Sequence, residues 1–232
     1  NERRGFLAVN ALWKNKSAVL VGDDMLSRVL LLSIENKKFR SLEIVARAVR
    51  EMSEGELLQI DKARKLDITE EVYFEVIRQK TASLISSCCE AGAVSVQRED
   101  EAENMRKFGE LIGLAFQIKD DIFDYGTPGK IGKPTGIDIR ERKMTLPLIH
   151  VINTAPNEVG KELINIVRRH NEKPKKVQRA VQLVIENGGI DYAHKRMLVL
   201  RDEALQCLTR IPDSPAKQSI LGLVEYTITR EK

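Results

Sequence analysis

Residues 116–126, FQIKDDIFDYG, set Asp120, Asp121 and Asp124 among Phe116, Ile118, Ile122 and Phe123. A carboxylate beside so much apolar surface is costly unless something offsets its charge. On a helix, Gln117, Asp120, Asp121 and Asp124 fall at i, i+3, i+4 and i+7, all on one face. At about 1.5 Å of rise per residue, Asp120 and Asp124 lie about 6 Å apart along the axis. Three carboxylates this close repel one another without a cation among them. Oxygen donors of this kind suit Mg²⁺, which takes one or two carboxylates and completes its shell with water and phosphate oxygens. The bland alternative is a solvated acidic face, and the apolar and aromatic flanks weigh against it. Asp23–Asp24 is the control. Ser27 and Arg28 stand where a further carboxylate would be needed, so Asp24 and Arg28 read as an ordinary i,i+4 ion pair.

A bound Mg²⁺ implies an anionic ligand, and the basic residues are placed singly or in pairs to meet one. Arg3 and Arg4 lie in NERRG, Lys80 and Thr81 in RQKTASL, and Lys133 and Lys143 in the stretch 126–143. Arginine forks grip phosphate oxygens bidentately and lysine supplies a point charge. Each alone reads as a surface residue, so their value is joint and depends on the fold. Gly109 and Gly113 continue the row of Gln117 and Asp121 upstream. They leave a furrow for close approach of another helix or of an elongated apolar ligand. Beyond Lys80, the face Leu84, Ser87/Cys88, Ala91, Ser95 carries mostly small side chains. It suits either a void for an apolar tail or close helix packing.

The elements that must position these groups are helices. Apolar residues recur at helical spacing, with Pro and Gly between the periodic runs. The pattern predicts helices near 17–35, 41–64, 69–97, 100–125, 145–155, 157–170, 174–187, 190–210 and 214–229. Thr69 before Glu70 and Glu71 reads as an N-cap with an acidic first turn. Pro147, Pro174 and Pro215 sit where helices can begin, and Gly188–Gly189 marks a stop. No period-two run is long enough to build a sheet. The stretch 126–143 has four glycines, two prolines and seven charged residues, too polar for a core and too long for a tight turn. The expectation is an all-α protein with 1–232 as a single domain.

Bulk properties narrow the function. The chain has 232 residues, 42% of them hydrophobic, enough for a substantial core. No run reaches the roughly 18 apolar residues of a membrane span, and no signal peptide is apparent. Three cysteines make no disulfide framework, which points to a reducing cytoplasm. Basic and acidic residues nearly balance, 38 against 34, and aromatics are 5%, which disfavours nucleic-acid binding. His150, His170 and His194 show no metal-ligand spacing.

Taken together, GLAFQIKDDIFDYG, GKPTGIDIRERKMTLPL and RQKTASL resemble the all-trans isoprenyl diphosphate synthases, most closely the long-chain polyprenyl branch. FQIxDDxxD is similar to that family's second aspartate-rich motif, GKPxGxD…K to its lysine loop, and KT to its diphosphate-contacting pair. NERRG resembles the tail of the first aspartate-rich motif. The first DDxxD and the helices before it are missing, so the chain is expected to begin just after that half-site and to be inactive alone. The resemblance implies a helical bundle of the isoprenoid synthase type around a central cavity, Mg²⁺ as cofactor and a homodimer. It implies head-to-tail condensation of isopentenyl diphosphate with an allylic prenyl diphosphate by ionisation, condensation and elimination.

By the same resemblance, Asp120, Asp121 and Asp124 hold the metal. Lys80, Lys133 and Lys143 neutralise the diphosphate, and Gln117 and Thr81 line the reacting centre. Arg3, Arg4, Phe116 and Asp138 bind substrate. The alternatives are a short-chain farnesyl or geranylgeranyl synthase, a class I terpene cyclase, a non-catalytic partner subunit and a purely structural bundle. Cyclases normally lack this DDxxD form and the paired arginines. A structural bundle leaves the joint occurrence of aspartates, KT and lysine loop unexplained.

Overall fold

The computed structural model describes residues 2–3, 6–66, 69–126 and 135–230, with the main chain only at 2, 3 and 64. By internal packing these residues divide into two units, Asn1–Ala46 and Arg47–Lys232. The first opens with two short strands, β1 (Glu2–Arg3) and β2 (Phe6–Leu7), paired antiparallel. Such a two-residue pairing falls below what a period-two pattern can reveal. Helix α1, Val9–Glu35, follows with non-helical dihedrals at Trp13 and Lys14. The regular part after this kink matches the expected 17–35. No α1 residue is buried, and Leu12, Trp13, Leu20, Met25 and Leu32 are exposed. Asp24 pairs with Arg28 at 2.8 Å on that exposed surface, the local role expected of the control doublet.

Helix α2 spans Phe39–Lys65. The remaining helices are α3 (Glu70–Ile77), α4 (Ser83–Ser95), α5 (Glu99–Phe123), α6 (Ile137–Arg140), α7 (Leu146–Thr154), α8 (Asn157–Arg169), α9 (Pro174–Glu186), α10 (Gly189–Cys207) and α11 (Pro215–Thr229). Their boundaries follow local chemistry. The Thr69 side chain accepts a hydrogen bond from the Val72 amide, and Pro174 and Pro215 open their helices, where a missing N–H costs nothing. Gly188 adopts φ +76° between α9 and α10, a left-handed conformation that glycine reaches without strain.

Within the second unit α5 is central, packing most extensively on α4 and α10. It buries Phe108, Leu111, Leu114, Ala115 and Ile118, and a fully buried side chain of this size contributes about 1.5–3 kcal/mol. Helix α7 is buried along Leu146, Leu148, Ile149 and Val151. Helix α8 buries Gly160, Leu163, Ile166 and Val167, the single face expected of an amphipathic helix.

One sequence expectation changes, and a choice between two others is decided. The helix expected over 69–97 is interrupted by a π-helical turn at Arg78–Ala82, the turn that carries Lys80 and Thr81. The glycine furrow is filled by protein. A Cβ at Gly109 would lie 2.7 Å from Ser86 Cα, and one at Gly113 would lie 2.6 Å from Ala82 Cα. These glycines let the backbone of α5 touch α4 and the π turn and leave no room for a ligand between them.

Candidate active site

The π turn widens the helix by one residue, so that the Ser83 amide reaches back to the Arg78 carbonyl. Lys80 leaves this turn toward α2, where its Nζ lies 2.5 Å from Glu56 Oε2 and donates to Gln59 Oε1 at 3.2 Å. A Cβ on Gly55 of α2 would lie 2.7 Å from the Lys80 amide nitrogen, so glycine is what permits this approach. Lys80 and Lys143 share the lining of an open cavity of about 480 Å³ with Glu56, Gln59, Ile60 and Arg142. Lys143 pairs with Asp138 at 3.3 Å and Glu141 at 2.5 Å. The aspartate trio does not line this cavity. It connects to it through Asp138.

The three aspartates have different surroundings. Asp121 is 6% exposed, and both of its oxygens are engaged. The Tyr73 hydroxyl donates to Oδ2 at 2.7 Å, and Gln117 Nε2 donates to Oδ1 at 2.9 Å. Thr81 Oγ1 donates to Gln117 Oε1 at 2.9 Å, so a single chain of bonds runs Thr81–Gln117–Asp121–Tyr73. Asp124 follows the end of α5, and its carboxylate accepts the amides of Ile137 at 2.9 Å and Asp138 at 3.1 Å. Asp120 is the open member, its side chain 40% exposed, and it is ion-paired with Arg230. The Arg230 guanidinium lies 4.3 Å over the Phe116 ring and 5.3 Å over Phe123, a cation–π arrangement that holds it in place.

The electrostatics are those of too much negative charge in too little water. Burial first, and then Asp138, push the Asp121 carboxyl up to about 7, although the Gln117 and Tyr73 hydrogen bonds oppose the shift. Burial and Asp138 also raise Asp124, against the two amides that favour its charge. Asp138 is raised by burial, with Lys143 pulling the other way. Among the described residues no three His, Cys, Asp or Glu side chains converge to cage a metal ion. The donor set nevertheless fits a cation that takes one or two carboxylates here and completes its shell from phosphate and water oxygens. Burial leads each of these upward shifts, and a bound cation would oppose them.

The structure thus brings Lys80, Thr81, Gln117, Asp121, Asp138 and Lys143 into one connected neighbourhood, with Phe116 and Asp120 meeting at Arg230. Lys133 and Arg4 lie outside the described residues, and Arg3 is described only as main chain in β1. On α4, Leu84, Cys88 and Ser95 are exposed while Ser87 is buried, so part of the small-residue face stays open. Sequence reasoning missed Tyr73, Glu56, Gln59 and Arg230. Tyr73 stands seven positions before Lys80, a spacing that places two such residues on one helical side. Arg230 is 110 positions from Asp120, and no local signal marks it.

Comparison with known proteins agrees with the helical fold. The family model for Polyprenyl synthetase matches residues 1–184. An all-trans-nonaprenyl-diphosphate synthase (geranyl-diphosphate specific) of Rhodobacter capsulatus is 32% identical over 231 residues, spanning 98% of this chain and 70% of that protein. A short chain isoprenyl diphosphate synthase of Methanothermobacter thermautotrophicus is 33% identical over 235 residues, spanning 99% of this chain and 72% of that one. Among solved structures, a decaprenyl diphosphate synthase from Rhodobacter capsulatus aligns with a TM-score of 0.91 at 35% identity, covering 100% of this chain and 72% of that one. A polyprenyl synthase from Caulobacter crescentus CB15, complexed with calcium and isoprenyl diphosphate, aligns at 0.89 with 34% identity, covering 99% and 71%. With these likenesses on top of the helical fold and the aspartate–lysine neighbourhood, the chain belongs to the polyprenyl synthetase family and is a prenyltransferase.

Proposed function

We propose that the protein extends an allylic prenyl diphosphate with isopentenyl diphosphate in a Mg²⁺-dependent reaction centred on Asp120 and Asp121. The observation that carries this reading is Asp121. It is a buried carboxyl pushed up to about 7 by burial and neighbouring acids, joined by hydrogen bonds to Gln117 and Thr81. When bound, the cation supplies Lewis-acid charge to the diphosphate oxygens. Asp120 is the accessible oxygen donor, and Arg230 must share it or move aside. Lys80 and Lys143, with Lys133, Arg3 and Arg4, carry positive charge to the diphosphates. There they stabilise the leaving group as the allylic C1–O bond breaks. The isopentenyl double bond then attacks C1, and a proton lost to the departed diphosphate leaves an allylic diphosphate one isoprene unit longer. Phe116 and Asp138 border the substrate in this reading. The side chains it uses are carboxylates, lysines, arginines and amides, and no Ser or Cys nucleophile is needed.

The calcium and isoprenyl diphosphate named for the Caulobacter relative support the ligand class. A homodimer in the cytoplasm belongs to the same proposal, supported by the exposed apolar side chains of α1. So does one working domain over 1–232, supported by a family match that crosses the division at Ala46 and Arg47. The test is chain extension by the full-length protein, with labelled isopentenyl diphosphate, farnesyl or geranylgeranyl diphosphate and Mg²⁺, the products separated by chromatography. Asp120→Ala and Asp121→Ala should each lower turnover by about a hundredfold or more. Wild-type rates in either variant would remove the metal assignment.

A further inference from the structure

Three consecutive main-chain amides converge on Asp124. Its carbonyl accepts from the Gly136 amide at 2.9 Å, and its two carboxylate oxygens accept one each from Ile137 and Asp138. The conformation that allows this is specific. Gly136 has φ +75°, and a Cβ there would lie 2.4 Å from Val177 Cγ1, so both strain and space exclude a side chain. Beyond this turn the chain is tied again. The Lys143 amide donates to the Asp138 carbonyl at 2.8 Å, and Lys143 Nζ donates to Asp138 Oδ1 at 3.3 Å. A continuous hydrogen-bonded path therefore runs from Asp124 through residues 136–138 to Lys143, whose ammonium lines the cavity shared with Lys80.

We infer that Asp124 is a positioning residue, which fixes Asp138 and Lys143 through main-chain amides and does not serve as a direct cation ligand. Each of its oxygens accepts from a main-chain amide whose place is fixed by the turn, whereas the donors to Asp121 are side chains that can turn away. Asp120 is open and Asp121 is held by side chains, whereas Asp124 is spent on the backbone of a segment that begins 12 positions later. The consequence for Lys143 as a diphosphate contact rests on the proposed function, but the tether does not, and the experiment separates them.

The test uses metal-free full-length protein and two variants. Asp124→Ala removes both carboxylate acceptors, and Asp124→Asn keeps one. Amide hydrogen exchange is read at Ile137, Asp138 and Lys143, and Mn²⁺ affinity in the presence of inorganic diphosphate is measured by electron paramagnetic resonance. Exchange at Ile137 and Asp138 should speed up by about tenfold or more in the alanine variant and by less in the asparagine variant. Mn²⁺ affinity of the asparagine variant should stay within about threefold of wild type, because Asp124 gives the ion no bond and asparagine keeps an oxygen for the amide tether. Unchanged exchange in the alanine variant, or a larger loss of Mn²⁺ affinity in the asparagine variant, overturns the inference. The exchange measurement needs no prenyl transfer, so a failure of the proposed function would leave it standing.

Discussion

Replacing Asp121 by Asn should make the metal-free protein more stable above neutral pH while abolishing chain extension. Asp121 is 6% exposed, and burial with Asp138 nearby lifts its carboxyl from 3.8 to about 7. At about 1.4 kcal/mol per pKa unit, holding that group ionised costs the fold about 4 kcal/mol. The folded pKa lies above the unfolded one. The favourable contribution of the protonated group is therefore fully present below 3.8 and is lost as pH rises through about 7. Asn carries no charge and loses nothing over that window. Its amide can be accommodated if Gln117 turns over, accepting from Asn through Oε1 and donating to Thr81 through Nε2. The Asn carbonyl then keeps the Tyr73 hydroxyl. The value of about 7 already includes the hydrogen bonds from Gln117 and Tyr73 to the charged form, so the gain on the alkaline side is about 4 kcal/mol. Urea titrations of both proteins without metal, from about pH 4 to about pH 9, give the difference curve, in which other titrating groups cancel. The gap should open between those limits by about 4 kcal/mol in favour of the variant. A gap that does not move with pH would refute the account of Asp121 as a strained carboxyl awaiting a cation.

Three further outcomes follow from contacts already described. Arg230→Gln removes the counter-ion of Asp120. Mn²⁺ binding should tighten about fivefold, as expected for the loss of an ion pair worth about 1 kcal/mol, and calorimetry would show it. Lys80→Ala should weaken inorganic diphosphate binding by about tenfold while leaving the helical circular dichroism unchanged, a charge-assisted contact being worth about 1.5–3 kcal/mol. Gly113→Ala drives a methyl to 2.6 Å from Ala82 Cα. It should cost about 1–3 kcal/mol, read as a drop in melting temperature of roughly 2–4 °C per kcal/mol in a protein of this size.

The helices were legible because burial on one side leaves a period that composition cannot hide, and because Thr69, Pro174, Pro215 and Gly188 act within a turn of their own position. The Asp24–Arg28 pair was legible for the same reason. The division of labour among the aspartates was not. Tyr73 is 48 positions from Asp121 and Arg230 is 110 from Asp120, and Asp124 is engaged by backbone amides, which have no sequence signature. Spacing showed that three carboxylates share a helix face, but not that each meets a different partner. The glycine row announced a close approach, and only packing tells whether a helix or a ligand fills it. The π turn escaped for a related reason, since it shifts the helical phase by a single residue and no residue type marks such a shift.

That extra residue has a consequence for how the protein tolerates change. Downstream of Arg78–Ala82, Ser86 of α4 lies against Gly109 of α5, while Ala82 at the end of the turn meets Gly113 and Lys80 points toward α2. Deleting one residue from this stretch would return it to ordinary helix and rotate everything on one side by about 100° relative to the other. Either the ammonium would swing off its acidic partners or the serine edge would leave the glycines. Shortening here therefore forfeits substrate grip or structural integrity, while changes of residue type on the solvent side leave both intact.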